Sequence, residues 1–487
     1  MGLKAILLSL ATLPLAKTET VLGVFIFSRH GDRTPKVLAP TKLTSLGAEQ
    51  VYASGSYYRS RYVASDAASP ILGLESDVVA LSQLSVTAPV DNVLQSSAQA
   101  FLQGLYPPAG RLSAQELANE TSVTAPLGGY QYIPVNAVAD ASAAKTTTTT
   151  GNDAENNAWL QGNSGCSNAV VSSNNYFSSA EYAATLAESA DLYSRLRPVL
   201  DGVFDERAAT FKNAYAIWDY VHAATIHNKT NSDVLTDDTL LRELRRLSDM
   251  HEWNLAYNSS DTIRAVAGQT LAGQVLDALN ATVVAATAAA AGQGKKKDSV
   301  KLNIQFGAYG VFSSFFGLAQ LPLVSDEFTG VVDYASSMAF ELVATTSTST
   351  STTTFAEEDI SVRFLFSNGV GSPPRYYPLF GQPETTLPWT RFAEEMGRFA
   401  IRDAAGWCEA CGNGGACAKK SSSGSVSPTS DEENANGISL ATAGVIGALV
   451  TLAVVLGAEA LIYLFSGLRL VREPTLASTT AAQAYKA

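Results

Sequence analysis

Residues 25–36 read FIFSRHGDRTPK, and the fold turns on them. The stretch closes a continuous apolar run, 21–27 (VLGVFIF), of the kind that forms a strand buried on both faces. The run stops abruptly at two arginines, a histidine, a glycine and a proline. In open α/β sheets, ligand sites gather beyond the carboxyl ends of strands, which is where Arg29, His30 and Arg33 fall. Gly31 lets the backbone turn close to a ligand, and Pro35 stiffens the exit. Guanidinium forks match phosphate oxygens in geometry and charge. A neutral imidazole between them can attack phosphorus and become a phosphohistidine. The plainer alternative is a satisfied histidine beside surface arginines, which suits a lone histidine better than this constellation.

Working outward, 44–61 (TSLGAEQVYASGSYYRSR) has apolar residues at helical spacing behind a threonine cap. Residues 96–105 predict a second helix, closed by YPPAG at 106–110. Residues 180–214 read as helical on both sides of Pro198, a residue that breaks or kinks helices. Segments 237–250 and 261–279 also read as helices, and 302–306 and 362–366 (VRFLF) as strands. Strands at both ends with helices between predict an α/β fold, a sheet carrying a helical insertion. Three low-complexity stretches, 145–150, 285–297 and 344–354, read as surface loops.

The motif Arg29-His30-Gly31-Asp32-Arg33-Thr34-Pro35 fits the pattern RHGxRxP, and with it the chain resembles the histidine acid phosphatases, in particular their fungal, phytase-like branch. Further similar segments are LTSLGAEQVYASGSYYRSRY (43–62), SAQAFLQGLYPP (97–108) and YASSMAFELV (334–343). The resemblance runs in pieces from about 21 to about 401. It implies a mixed sheet flanked by helices with a mainly helical inserted domain at about 110–280, and metal-free, cofactor-free phosphomonoester hydrolysis at acid pH. It makes His30 the nucleophile and Arg29 and Arg33 the phosphate ligands.

Two departures qualify the resemblance. The family carries a late His-Asp pair whose aspartic acid protonates the leaving oxygen. In LNIQFGAYGVFSSFFGLAQL (302–321), the spacing puts Gln305-Phe306 at that place. The chain's four histidines are His30, His222, His227 and His251, and none precedes an aspartate. Gln305 can donate hydrogen bonds to a phosphate oxygen but not a proton. The family also places an arginine four residues before the Ser-Ala of the 97–108 segment, where this chain has Val93. General acid catalysis contributes about 100- to 10,000-fold, and a charged ligand aimed at developing charge about 2–4 kcal/mol. Hydrolysis is therefore expected to be weakened or lost, with the anion site retained. The alternatives are an active acid phosphatase using another carboxylate, and a non-catalytic glycosylated surface or binding protein. His251-Glu252 reads as a solvated helix-end pair, and His222 and His227 as structural.

A net charge of −12 argues against nucleic acid as a partner, because such partners need a basic face. The expected partners are a phosphate monoester or other small anion, and a membrane. Residues 1–16 (MGLKAILLSLATLPLA) read as a secretory signal peptide. Residues 437–468 are apolar apart from Glu459 and long enough to span a bilayer, with Arg469 and Arg472 directly after. The expected plan is an ectodomain at 17–417, a flexible stalk at 418–436, one C-terminal transmembrane helix and a cytoplasmic tail at 469–487. That is a single-pass type I protein of the cell surface or an endomembrane such as the vacuole. Four Asn-X-Ser/Thr sequons, at Asn119, Asn228, Asn258 and Asn280, suit a glycosylated luminal domain. Cys166, Cys408, Cys411 and Cys417 allow two disulfides in three connectivities.

Overall fold

The computed structural model describes residues 18–138, 165–228, 233–288, 299–346 and 355–412. The expected signal peptide, stalk, membrane helix and tail lie outside these, as do Cys417 and most of the low-complexity stretches.

The apolar run forms β1 (Thr18–Arg29), near the middle of a mixed sheet. The other sheet strands are β2 (Leu84–Pro89), β5 (Asn136–Val138), β6 (Leu302–Gly307), β7 (Ser337–Thr346), β8 (Ile360–Ser367), β9 (Arg375–Tyr377) and β10 (Thr386–Pro388). A separate small hairpin pairs β3 (Gln115–Glu116) with β4 (Ser122–Val123). The sheet order is β10-β8-β7-β1-β6-β2-β5, with β9 also on β8. On one side β1, β6, β2 and β5 run parallel. On the other, β7, β8 and β10 alternate in direction. β1 is where the two halves meet.

Helices cover both faces, which is why β1 is apolar throughout rather than alternating with polar residues. Phe25 and Phe27 point into a core shared with the helices Val266–Ala288, Tyr309–Leu318 and Trp389–Gly397. Val24 and Ile26 point the other way, to a core built with Ser45–Tyr58 and Asn92–Leu105. The Thr44 side chain caps the Ser45–Tyr58 helix by accepting the Gly47 N–H, as its sequence predicts. Thr262–Ala288 is long and apolar enough to cross a membrane by composition, but its Leu271, Val275 and Leu279 are core residues.

A third core belongs to helices that stand beyond the sheet, among them Ala180–Glu188, Ala190–Leu200, Ala214–His227 and Asp238–Ala256. Pro198 sits in the last turn of its helix, which ends at Leu200 rather than resuming. A Cys166–Cys411 disulfide, spanning 245 residues of sequence, ties the start of this helical layer to the end of the described chain. The helix Ala214–His227 matters most for function, because it lies across the loop that follows β1.

Candidate functional site

At the end of β1 the chain turns where only glycine fits. A Cβ on Gly31 would stand 2.1 Å from the Gly47 carbonyl oxygen, so any side chain there would push the loop off the Ser45–Tyr58 helix. The loop is also bonded to that helix. Thr44 N–H donates to the Asp32 carbonyl (3.0 Å), and the Asp32 N–H donates to Gln50 Oε1 (2.8 Å). The motif is thus held from one side by main-chain and polar contacts, and its cations point to the other.

Arg29, His30 and Arg33 are all buried. Arg29 donates from Nη1 to the Val332 carbonyl and from Nη2 to the Tyr215 hydroxyl (3.4 Å). Its guanidinium carbon lies 4.8 Å from the Tyr334 ring centre and 5.3 Å from that of Tyr309. No carboxylate among the described residues pairs with it, so aromatic faces rather than an anion compensate its charge. Arg33 differs. It donates to Asp219 Oδ2 (3.0 Å) and to the same Tyr215 hydroxyl (3.2 Å). Asp219, fully buried, also accepts the Lys36 N–H (2.9 Å) and faces the Tyr334 hydroxyl (3.4 Å). Burial, with Asp219 close by, pushes the Tyr334 phenol far above its usual range, so that hydroxyl remains a donor.

His30 Nδ1 lies 2.8 Å from the Gly31 carbonyl. A carbonyl only accepts, so Nδ1 carries the proton, and in the neutral ring Nε2 holds the lone pair that a nucleophile needs.

Tyr215, Asp219 and His222 stand at i, i+4 and i+7 on one face of Ala214–His227, and this face meets the motif. The same helix ends on His227, whose Nε2 lies 2.7 Å from Asp32 Oδ2. His222 stacks on Trp218 at 5.0 Å and on Tyr334 at 6.0 Å. Tyr334 is in turn 5.6 Å from the His30 ring. An open pocket of about 500 Å³ reaches Arg29 past Trp218, His222, Asp333 and Tyr334.

The sequence expectations are met unevenly. Arg29, His30 and Arg33 are brought together as the motif predicts. Gln305 makes no bond to either arginine: it lies level with Phe27, two residues short of the strand end, and its Oε1 is buried without a partner. Phe306 turns to the opposite face and packs on Phe101. Gly307 pairs with Arg29, and Ala308 follows, so glycine and alanine occupy the end of β6 beside the motif. Val93 is buried in its helix and brings no charge.

The remaining histidines correct the sequence reading. His251-Glu252 is not a solvated pair. His251 is enclosed by Tyr176, Phe177 and Phe211, while Glu252 joins His251 Nδ1 (2.8 Å) to the Tyr309 hydroxyl (2.6 Å). Burial alone would raise the Glu252 carboxyl, but its bonds to His251 and Tyr309 hold it below the ordinary glutamate value. His222 and His227 belong to the site rather than to an ordinary helix. The signal for His222 is the polar i, i+4, i+7 face, which is legible in sequence but says nothing of what it faces; His227, at i+12, lies outside that set.

A mixed α/β sheet whose central strand brings two buried arginines and a histidine to its carboxyl end gathers positive charge there. Residues 37–367, more than half of the chain and starting just past the motif, match the profile of the histidine phosphatase superfamily (branch 2), and the chain belongs to that superfamily. Solved structures with similar folds include the apo phytase of Hafnia alvei (10% identity, TM-score 0.49, covering 81% of this chain and 98% of that one). Others are the phytase of Citrobacter braakii (12%, 0.48, 81% and 99%) and that of D. castellii (14%, 0.46, 81% and 82%). No curated protein sequence matches the chain significantly.

Proposed function

We propose that this protein binds phosphate monoesters or a related small anion at Arg29, His30 and Arg33, and that its hydrolytic power is weakened or lost. The observation that carries the reading is the contrast at the end of the sheet. Arg29 is a buried cation with no carboxylate partner among the described residues, yet Gly307 and Ala308 at the end of β6 offer no acid. An entering anion supplies the missing countercharge, since a buried guanidinium gains most from an ionised acceptor. Binding needs no proton donor. Cleavage of an alkyl ester does, because an alkoxide leaves poorly without one.

The second reading, an active acid phosphatase with another carboxylate, draws on Asp219, which pairs with a motif arginine. Its oxygens already accept from Arg33, the Lys36 N–H and the Tyr334 hydroxyl, so they are engaged within the protein rather than turned to a leaving group. Asp219 therefore fits an anchor for Arg33 better than a general acid. We further propose the type I membrane topology, with a glycosylated ectodomain in the secretory pathway, from the apolar runs at both ends and the four sequons.

The test is calorimetry with inorganic phosphate, alongside turnover of p-nitrophenyl phosphate between pH 4 and 6. Binding abolished by Arg29→Ala, with slow turnover abolished by His30→Ala, is the expected result. Fast alkyl phosphate turnover that requires Asp219 would establish the second reading instead. No binding to the wild-type protein would leave a surface protein with an architectural motif.

A further inference from the structure

We propose that His222 donates the proton to the leaving oxygen of a phosphate monoester seated at Arg29, so that whatever alkyl phosphate cleavage the protein retains runs through an imidazole from the helical layer. The proposal rests on the anion-site reading above. His222 and Arg29 line the same pocket, so an ester whose phosphate meets Arg29 extends its alcohol past His222. The imidazole stacks on two rings: Trp218 lies nearly parallel to it (9°), and Tyr334 is inclined by 29°. The ring nitrogens, at its edge, are left to meet a ligand. Neither ring nitrogen bonds to a described residue, and the Thr225 hydroxyl donates to the His222 main-chain carbonyl rather than to the ring. Tyr334 neighbours both histidines, its ring 5.6 Å from that of His30 and 6.0 Å from that of His222.

The charges facing His222 are Arg245 from the helix Asp238–Ala256, Asp333 from the segment before β7, Asp219 on its own helix, and Arg29 from β1. Burial, and then Arg245, pull its pKa below the ordinary imidazole value of 6.5 against the two aspartates. The sign follows. The ring carries its proton at acid pH, releases it more readily than a free imidazole, and cannot act once the pH rises past the lowered value.

The chemistry balances without another reagent. The His30 Nε2 lone pair forms the N–P bond while the P–O ester bond breaks, its electron pair going to oxygen. The His222 imidazolium gives that oxygen its proton, releasing the alcohol. Water then attacks phosphorus, neutral His222 takes the water proton, and the N–P pair returns to His30 as phosphate leaves.

The experiment compares glycerol 2-phosphate with p-nitrophenyl phosphate from pH 4 to 7, using the full-length protein. A nitrophenolate leaves without a proton, so the ratio of alkyl to aryl turnover reports the donor. His222→Ala should lower that ratio about 100-fold and remove the decline of alkyl turnover above a pKa under 6.5. His222→Phe keeps the stack with Trp218 and Tyr334 and should do the same, so it decides the matter if the alanine variant does not fold. An unchanged ratio in His222→Phe, or a wild-type protein that binds inorganic phosphate yet cleaves no alkyl ester, overturns the role of His222 alone. Absence of Arg29-dependent phosphate binding overturns the anion site beneath it.

Discussion

Two clusters of the described residues set arginines around a buried carboxylate, and they are built on opposite terms. Glu341, on β7 level with Val24, accepts from Arg61 Nε and Nη2 (3.0 and 2.7 Å), the Tyr62 hydroxyl (2.6 Å), Arg363 Nε (3.0 Å) and the Tyr376 hydroxyl (2.9 Å). One carboxylate saturates its bonds with two arginines and two phenols, and the arginines lie partly at the surface. At the end of β1 the balance is reversed. Both arginines there are fully buried; Asp219 pairs with Arg33, and no carboxylate among the described residues pairs with Arg29. Arg29 is left with a carbonyl, a phenol and two aromatic faces. A buried charge is costly unless compensated, so the first cluster reads as finished structure and the second as a site still short of an anion. The difference separates a buried ion pair that holds a fold from one that serves binding.

Breaking the saturated cluster should have the largest effect. Glu341→Ala strands two arginines and is expected to cost about 3–5 kcal/mol, read from chemical denaturation, with phosphate affinity unchanged in the protein that remains folded. Arg29→Ala removes the unpaired cation and should weaken phosphate binding by about 2–4 kcal/mol, seen by calorimetry. If both variants lost stability and binding equally, the contrast between the clusters would not hold.

Asp219→Asn sharpens the comparison. With the Asp219 charge removed, that carboxylate no longer competes with a ligand for Arg33, and phosphate should bind about tenfold tighter, roughly 1.4 kcal/mol. Weaker binding would mean that Asp219 holds Arg33 in place rather than competing with the ligand.

The smallest effect concerns Glu252, reached from the site through Tyr309. Its folded pKa lies below its unfolded one, so its contribution is present above about pH 4.5 and is lost as the pH falls through the lower folded value. Glu252→Gln should flatten the decline in urea midpoint between pH 5 and 3. An unaltered decline would place the acid sensitivity elsewhere.

Much of the fold was readable before any coordinates. β1 declares itself as an apolar run, β6 and β8 read as strands, and the helix after Thr44 is marked by a cap that the structure uses. The strand that delivers Arg29, His30 and Arg33 was legible for the same reason: a buried parallel strand must be apolar throughout, and its end is where polarity returns. The Gln305 placement went astray because spacing counted back from a helix does not fix sheet register, and a shift of two residues keeps the same face. Pairing with Arg29 put Gly307 there instead.

The sequence by itself determined the motif, the mixed α/β class, and the absence of any histidine followed by aspartate. Those are local facts, set by residue type and spacing. Only the tertiary structure decided what meets the motif. Asp219 reaches Arg33 across 186 positions, and His222 reaches the pocket of Arg29 across a similar span. A helix's own pattern records that one face is polar, but which charge lies against that face depends on how separate helices and strands pack, and no short stretch of sequence encodes that.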